Sequence, residues 1–544
     1  MGLKLPFGKK QFTRFFSRFR KIEGPVGNLR GSKAFIAAVL RRSAPSEPPL
    51  HPPRLAAGGR EGVLLTGWGK CLVNHISNDE SAALIRRRCF FHVSGFDQCD
   101  AAAQYRRFVR EIARFAATWN VKAEVSAPPP FQHPQAADGG KGGDGESRWT
   151  VTTQGPAWRV VTVFELLDWS DIVRGEVERP SSRKLYEGLA TFAELICSGT
   201  AWRYFTANWR YGMFFLVPFL NIFLFAALAI LAACYAGAGV AAVLASTLWG
   251  AAAVPAAAAF AFAVLMRWPG KRWRVPEALA DWIFAREYML GRHPEMNARI
   301  EAFAARVAAC ARRADVQEIV VAGHSLGATV AVDVLARVFA RDPTLRRRGP
   351  KLNLLTVGAT IPKLALHPRG AWLRESARRL AAEPSLTWAE YQARDDFISF
   401  HKFDPVKLAR VPSPDAPPSP RASRPLFDRG MPDRSVFASK AGGTPALSGE
   451  ARAGADGGPI IRRVQIHQML SAPTLRRLRF SYMRLHYQFV MANERRSPYD
   501  YFMLMCGPAP FRLTVNQPDG PADLYDADGA YVAGAPPVAV CAAG

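Results

Sequence analysis

Residues 323–327 read Gly-His-Ser-Leu-Gly, which places a serine between two glycines at the spacing of a catalytic nucleophile. The run Glu318–Ala322 predicts a short buried strand before this motif, and Ala328–Ala340 predicts a helix with one apolar face after it. A tight turn between strand and helix holds such a serine in a strained conformation and exposes its Oγ. The glycines are needed because strand and helix pass close together there. The pattern therefore predicts nucleophilic catalysis by Ser325.

Candidate acids follow a predicted strand at Thr387–Gln392. A serine hydroxyl is a poor nucleophile near neutral pH, so it needs a histidine as general base and a carboxylate that orients this histidine. After a strand-turn-helix motif of this kind the chain order is serine, acid and then histidine, and we expect the acid two strands beyond the nucleophile. Asp396 is the preferred acid because a β-branched residue, Ile398, follows two positions later. Asp395 and Asp404 are the alternatives.

Two histidines follow or lie beyond the predicted last strand, Arg463–Ile466, and either could supply the general base. His486 is preferred because the base is expected in a loop or at a helix start beyond that strand. The segment Thr474–Ala492 has a helical pattern, so this choice requires a break in the helix near Ser481. His467, which directly follows the strand, is the alternative.

Two backbone amides are expected to stabilise the negative charge that develops on the carbonyl oxygen of a substrate. One is the amide of Leu326, which follows the nucleophile at the start of the predicted helix. The other is the amide of Phe96, in the loop after the predicted strand Arg88–Val93, where Gly95 allows a close approach. His324 is expected to pack within the turn or orient it, and not to act as the base.

A second feature of the chain is a run without any charged residue from Tyr211 to Met266. Its length suffices for two membrane-spanning helices of about 20 residues each. We place the first span at Met213–Tyr235 and the second at Val240–Met266, with a turn at Ala236–Gly239 between them. Because the second span is rich in alanine and only moderately hydrophobic, a re-entrant segment is the alternative for it.

Both flanks of this run are positively charged and the predicted turn carries no charge; the flanking basic residues are Arg203, Arg210, Arg267, Lys271, Arg272 and Arg274. Because positively charged flanks stay in the cytoplasm, both ends of the hairpin are expected there. Over the whole chain, 71 Lys and Arg against 45 Asp and Glu give a net charge of +26, which favours an anionic partner. Since zinc-finger and RNA-binding patterns are missing from the sequence, membrane lipids are preferred over nucleic acid.

Composition divides the chain into five regions. They are a basic N-terminal region (1–85), the first part of an α/β domain (86–200), the hairpin with its flanks (201–274), the second part of the α/β domain (275–512) and a flexible tail (513–544). A low-complexity insert is expected at 411–458. In both parts of the α/β domain strand-like runs alternate with helical ones, which predicts a mostly parallel sheet with helices on both faces. The N-terminal region predicts a basic amphipathic helix that lies on anionic lipid or docks on the protein, with its apolar side formed by Phe12, Phe15, Phe16 and Phe19.

In these features the chain resembles the α/β-hydrolase superfamily, and within it bacterial, membrane-anchored serine hydrolases of the lipase and esterase type. The resemblance covers about residues 86–200 and 275–508, and the motif from Gly323 to Gly327 is its most specific part. It implies a three-layer α/β-hydrolase sheet into which a two-helix transmembrane hairpin is inserted. It also implies hydrolysis of an ester, thioester or amide without a metal or an organic cofactor.

We therefore expect a serine hydrolase of the bacterial inner membrane whose catalytic domain faces the cytoplasm. Its substrate would be a lipid or another acyl ester, cleaved through an acyl-enzyme. An acyltransferase that uses the same serine, acid and histidine is one alternative, because an alcohol can replace water as the acyl acceptor. An interaction protein that kept the fold and lost turnover is another.

Overall fold

The computed structural model describes residues 84–127, 147–408, 411 and 458–532. By contacts the chain divides into two compact units, Met1–Ile76 and Ser77–Gly544, and every described residue belongs to the second. The predicted N-terminal amphipathic helix, nearly all of the low-complexity insert 411–458 and the last part of the predicted tail, 533–544, lie outside the described residues.

One eight-stranded sheet forms the centre of the second unit; in chain order its strands are β1 (Arg87–Val93), β2 (Lys122–Val125), β3 (Arg148–Gly155), β4 (Trp158–Leu166), β5 (Glu318–His324), β6 (Lys351–Val357), β7 (Leu386–Ala393) and β8 (Ile460–Val464). Across the sheet they are ordered β2-β3-β4-β1-β5-β6-β7-β8. All pairs from β4 to β8 are parallel, whereas β3 pairs antiparallel with both β2 and β4. The protein is thus an α/β protein with a mixed sheet.

Helices follow most strands; they are α1 (Ala101–Trp119), α2 (Ser170–Glu178), α3 (Ser181–Cys197), α4 (Thr200–Ala207), α5 (Trp209–Val243), α6 (Thr247–Leu265), α7 (Val275–Met289), α8 (Pro294–Ala311), α9 (Leu326–Arg341), α10 (Ile361–Ala365), α11 (Ala371–Ala381), α12 (Ile466–Met469), α13 (Ala472–Leu478), α14 (Tyr482–Tyr487), α15 (Tyr501–Cys506) and α16 (Phe511–Asn516). Because successive side chains of a strand point to opposite faces, β1 contributes Phe91 and Val93 to one apolar core and Phe90 to the other. The first core includes α8 and α9, and the second includes α1 and α15. Helices therefore cover both faces of the sheet, as the alternation of strands and helices predicts.

The C-terminal elements differ from their predictions. The last strand ends at Val464, and Ile466, predicted to end it, begins α12. The predicted long helix is divided into α13, α14 and a short 3₁₀ turn, and Ser481 is the N-cap of α14. Part of the predicted flexible tail is also folded, because Val515 of α16 and Leu524 are buried against the second core.

The antiparallel strands β2 and β3 have no counterpart among the sequence predictions. In β3, Trp149, Val151 and Thr153 alternate with more exposed residues, which is the signature of a strand with one buried face. Pro156 and Ala157 form the tight turn between β3 and β4. This alternation could have revealed the strand, but it follows closely on a glycine-rich segment, residues 139–145, which has no apolar pattern of its own.

Within the described residues, two helices are long and apolar enough to cross a membrane, namely α5 and the segment Thr247–Gly270, which contains α6 and one π turn. The predicted turn at Ala236–Gly239 is wrong, because these residues are helical and the connection lies at 244–246. Gly237 serves packing, because a Cβ there would lie 2.8 Å from the Gly250 carbonyl oxygen of the neighbouring helix, whereas a Cβ on Gly239 would meet no atom within 4 Å.

The first turns of α5 pack on the α/β body and do not stand free of it. Phe215 contacts Trp282 of α7 with ring centroids 5.0 Å apart, and Phe192 of α3 stacks on Phe219 at 4.4 Å. By contrast, Met213, Val217 and other apolar residues on the opposite side of α5 are exposed. The hairpin is therefore joined to the body by a buried aromatic cluster, while its outer side presents an apolar surface.

Candidate active site

Ser325 lies at the sharp turn between β5 and α9, at the carboxyl end of the central strand. Its backbone has φ 57° and ψ −124°, a conformation that side-chain-bearing residues rarely adopt and that costs free energy. The amide of Ser325 donates a hydrogen bond to the carbonyl of Val357 at 3.1 Å, and its own carbonyl accepts one from Thr360 at 3.2 Å. These bonds from the end of β6 hold the strained turn in place, and the serine is partly exposed.

The glycines of the motif sit where other backbone atoms approach them. A Cβ on Gly323 would lie 2.5 Å from the Cα of Ala328, so only glycine lets β5 pass the start of α9. A Cβ on Gly327 would collide with the carbonyl oxygens of Val93 and Ser94. The start of α9 therefore lies directly against the end of β1 and the loop that follows it.

The predicted acid and base are brought together. Nδ1 of His486 lies 2.7 Å from Oδ2 of Asp396, and both side chains are almost completely buried. The other carboxylate oxygen accepts a hydrogen bond from the amide of Ile398 at 2.9 Å, which fixes its orientation. Because an ionised carboxylate only accepts, Nδ1 carries the proton and Nε2 is left as an acceptor. Nε2 is buried and has no hydrogen-bond partner within the described residues.

The alternative residues occupy other environments. Asp395 is exposed on the same turn. Asp404 accepts hydrogen bonds from the amides of Val406 and Lys407, at 2.9 and 3.3 Å, so it stabilises its own turn. His467 is an exposed residue of the short helix α12. Of the candidate acids and bases, Asp396 and His486 are therefore the pair that the fold places in contact.

His324 links the nucleophile to the candidate base. Its ring packs on that of His486 with centroids 4.6 Å apart, and its Nε2 lies 3.1 Å from the carbonyl oxygen of His486. Burial, and then the nearby His486, hold the pKa of His324 well below its usual value, so its ring stays neutral. Since a carbonyl only accepts, Nε2 of His324 is the donor. This residue next to Ser325 thus fixes the backbone of His486, consistent with the orienting role predicted for it.

The two predicted oxyanion amides lie beside the serine. A Cβ on Gly95 would lie 2.9 Å from Cβ of Ser325 and 3.4 Å from its Oγ, so the loop of Phe96 touches the nucleophile. Leu326 is the first residue of α9, where helix amides have no partner within the helix. The ring of Phe96 packs on Phe284 of α7 at 5.7 Å, which anchors the loop. The loop that carries the Phe96 amide and the first turn of α9 thus both lie next to Ser325.

Gly95→Ala is expected to lower turnover of an ester substrate by about 10²-fold, because the new methyl group would displace Ser325 or the Phe96 amide from its position. Thermal unfolding should change little. The matched control is Gly175→Ala in α2, where a Cβ meets no atom within 4 Å. Steady-state kinetics of the two purified variants checks this, and equal turnover in both would contradict the placement of the Phe96 loop.

One residue of the site that the sequence did not indicate is Gly358, directly after β6. Its φ is +52°, and a Cβ there would lie 3.2 Å from Cε1 of His486 and 3.0 Å from Phe489. Gly358 therefore makes room for the imidazole beside the Ser325 turn. The glycine follows an apolar run in the sequence, but its contact with a histidine more than a hundred residues later depends on the tertiary fold.

The loop that carries Asp396 is closed by hydrogen bonds to the side chain of Gln392, near the end of β7. Gln392 donates to the carbonyl of Phe403 at 2.6 Å and accepts from its amide at 3.3 Å, which closes the loop. The same side chain donates to Glu390 at 2.7 Å. Burial raises the pKa of Glu390 to about 8, although the hydrogen bonds from Gln392 and Thr356 oppose this rise. A largely protonated carboxyl group therefore lies beneath the acid loop at neutral pH.

This buried carboxyl group predicts a pH-dependent stability. Between the unfolded pKa of 4.5 and the folded pKa of about 8, the folded protein keeps a proton on Glu390 that the unfolded chain releases. The free energy of unfolding should therefore fall as pH rises through this range, by up to about 1.4 kcal/mol per pH unit from this group. Glu390→Gln should remove this contribution. Thermal melts of both proteins at several pH values test it, and parallel curves would contradict it.

Three other titratable residues come close enough together to suggest a metal site. Ligand atoms of Glu176, Glu287 and His293 lie within 4.8 Å of one another. However, the guanidinium of Arg179 donates to Glu176 at 2.5 Å and to Glu287 at 3.1 Å, so a positive charge already occupies the space between the carboxylates. Nδ1 of His293 accepts from the amide of Met296, which directs its Nε2 hydrogen to Glu176. The cluster is held together as an ion-pair network, in which only Oε2 of Glu176 has no hydrogen-bond partner among the described residues.

Ser325, Asp396 and His486 thus follow the carboxyl ends of β5, β7 and β8, and His486 contacts both Asp396 and His324, the neighbour of Ser325. Within the described residues, no hydrogen bond joins Nε2 of His486 to Ser325. Comparison with protein-family models, with curated proteins and with solved structures finds no match for this chain. The conclusions about function therefore rest on this geometry.

Proposed function

We propose that the protein is a membrane-anchored serine hydrolase of the α/β-hydrolase type that cleaves lipid or other acyl esters. The observation that carries the proposal is the buried pair of His486 and Asp396. Nε2 of His486 has no hydrogen-bond partner within the described residues, and the ring packs on His324, the residue before the strained Ser325. The order along the chain also agrees with this class: the serine follows β5, the acid follows β7 and the histidine follows β8.

In the proposed reaction, the Oγ of Ser325 attacks the ester carbonyl while Nε2 of His486 accepts its proton. Asp396 keeps the imidazole in the tautomer whose Nε2 is free and stabilises the imidazolium once it forms. His486 then returns the proton to the leaving alcohol, and an acyl-enzyme on Ser325 remains. Water deprotonated by His486 attacks this acyl-enzyme, which releases the acid and restores the serine.

The amides of Phe96 and Leu326 would stabilise the tetrahedral intermediates. Each amide donates a hydrogen bond that is stronger to the developing oxyanion than to the carbonyl of the bound ester. Their positions depend on close backbone packing at Gly95 and Gly327 and need no side-chain movement. This preorganisation supports a hydrolytic function over a purely structural role, because a binding module has no need for a strained serine beside two free amides.

We propose further that α5 and α6 form a hairpin in the bacterial inner membrane, with the catalytic domain on the cytoplasmic side. Support comes from the two apolar helices, from the outward exposure of their side chains, and from the basic residues on both flanks. Trp209, at the start of α5, and Trp268, just after α6, are strongly exposed, as expected for aromatic residues at the level of the lipid headgroups.

The hairpin arrangement predicts that single cysteines near Arg203 and Arg274 react from the same side of the membrane. The labelling is best measured in a parent in which the exposed Cys197 and Cys234 have been replaced. A cysteine at the tip, between α5 and α6, should be reached only from the opposite side. If the two flanks react from opposite sides, the chain crosses once and this topology is wrong.

Turnover by the full chain in lipid nanodiscs tests the proposed reaction. With a short-chain aryl ester we expect release of the phenol and of the free acid. If an added alcohol captures most of the acyl group in preference to water, the protein is an acyltransferase with the same residues. If folded protein neither turns over esters nor reacts with a fluorophosphonate, it is a non-catalytic member of this structural class.

A further inference from the structure

A band of aromatic and basic side chains connects the start of α5 with the loop that carries the acid and with α14, which carries the base. The guanidinium of Arg210 lies 5.7 Å from the ring centre of Trp209 and 5.1 Å from that of Phe397 in the acid loop. Phe397 in turn contacts Tyr482, the first residue of α14, at 5.2 Å. We call this band, with the adjoining pair that precedes α14, the basic aromatic strip; it consists of Trp209, Arg210, Phe397, Arg479, Phe480 and Tyr482.

The strip is unusually exposed for its apolar content. Trp209 is 61% exposed, Phe480 75% and Tyr482 50%. Arg479 lies over the Phe480 ring at 4.4 Å, so the charge and the aromatic ring form one unit at the surface. An exposed aromatic cluster of this kind marks a surface that meets another phase or molecule.

The charge of this region is uncompensated. Within the part of the chain that the structure describes, no carboxylate pairs with the exposed arginines of α13 and α14, which are Arg476, Arg477, Arg479 and Arg484. Elsewhere on the surface, arginines such as Arg378 and Arg379 are paired with a neighbouring glutamate. Unpaired arginines beside exposed aromatic rings are typical of segments that lie on anionic lipid.

The position of the strip indicates which surface it meets. Trp209 and Arg210 are the first residues of α5, and the exposed apolar side of this helix begins one turn later, at Met213. The strip thus lies at the boundary between the polar body and the apolar helix, where lipid headgroups would be. Arg210 also donates to the carbonyl of Arg394 at 2.5 Å, which ties this boundary to the loop of Asp396.

We infer that the basic aromatic strip is a contact surface for the headgroups of anionic phospholipids, in the same membrane that the hairpin enters. The inference rests on the membrane placement proposed above and extends it to the catalytic loops. Seating the strip on lipid would hold the acid loop and α14, and thus Asp396 and His486, against the surface from which an acyl ester would arrive. Rings would enter the headgroup layer, and arginines would bind lipid phosphates.

Site-specific photo-crosslinking of the full chain in nanodiscs tests this surface. With p-benzoylphenylalanine in place of Phe480, we expect lipid adducts in nanodiscs that contain phosphatidylglycerol, and several-fold fewer in phosphatidylcholine alone. The same group in place of Arg347 should give none. Arg347 is exposed, but it precedes β6 at the amino ends of the parallel strands, whereas Ser325 follows the carboxyl end of β5. Adducts to a second copy of the chain, or none to lipid at position 480, would overturn the inference.

A charge variant separates electrostatic binding from mere proximity. Arg477→Gln combined with Arg479→Gln should lower the lipid adducts at position 480 by about fivefold or more, because each arginine near an anionic surface contributes to binding. The matched control, Arg347→Gln with Arg348→Gln, removes two exposed arginines at the amino ends of the parallel strands and should leave the adduct yield unchanged. Equal yields in the two double variants would contradict lipid binding by the strip.

Fluorophosphonate labelling of Ser325 in the same samples keeps this inference separate from the proposed function. Labelled protein without lipid adducts at position 480 would overturn the lipid contact and leave the hydrolase standing. Lipid adducts on protein that does not react with the probe would leave the contact standing and remove the hydrolase.

Discussion

Replacing Ser325 by alanine is expected to lower kcat/KM for a short-chain aryl ester by at least about 10³-fold, as the loss of a catalytic nucleophile does. The alanine cannot form the acyl-enzyme, so the remaining rate comes only from binding and from the two amides beside the turn. Folding should be preserved, because the side chain is partly exposed and its hydrogen bonds to Val357 and Thr360 are made by the backbone. Stopped assays on purified protein measure the loss.

The matched control is Ser181→Ala, an exposed serine at the start of α3 that has no part in the proposed site. It should keep the wild-type turnover. If Ser325→Ala also keeps it while the melting temperature is unchanged, the activity comes from another group and the proposed mechanism is wrong.

His486→Ala is expected to be nearly as damaging as the loss of the serine, because the hydroxyl then has no base to accept its proton. Asp396→Asn should also lower kcat strongly, since an amide nitrogen facing Nδ1 favours the tautomer whose Nε2 carries the hydrogen. Combining His486→Ala with Ser325→Ala should add little, because residues that act as one unit are not additive. The comparison requires kcat of the single and double variants, measured on folded protein.

His467→Ala is the control for the base, because this histidine is exposed on α12 and distant in role from the proposed site. We expect near wild-type kcat for it. The assignment fails if the His467 variant is inactive while the His486 variant turns over normally.

The nucleophile could be predicted from the sequence because the whole motif is local. Strand, turn and helix are contiguous around Ser325, and the contact that requires Gly323 lies within the motif, although Gly327 is required by the loop after β1. The strand before the turn was predicted for the same reason, because β5 is a short apolar run that is buried on both faces. In these elements local pattern and tertiary burial agree.

The acid and the base could be narrowed only to a few candidates. Asp395 and Asp396 are neighbours on one turn, and which carboxylate points inward depends on the backbone path after β7. Similarly, the choice of His486 required a helix break that the apolar pattern of α13 and α14 does not show. The break occurs at Ser481, the N-cap of α14, and the new helix buries Leu485 and His486.

The hairpin shows how composition can mislead about a boundary. Glycines in an apolar run suggested a turn at Ala236–Gly239, yet these residues continue α5 and let α6 approach closely at Gly250. The strands β2 and β3 were missed for the opposite reason. They follow or adjoin a glycine-rich segment, and their pairing with β4 is decided by the edge of the sheet, which local sequence does not reveal.

The most direct test of the account is the site of covalent labelling by a fluorophosphonate. The full chain in nanodiscs is treated with the probe, digested, and analysed by mass spectrometry. The account predicts one phosphonylated residue, Ser325, with labelling that is lost on heat denaturation and strongly slowed in His486→Ala, because the strained turn and the base activate this hydroxyl. Folded wild-type protein that remains unlabelled, or that carries the adduct on another residue, would contradict it.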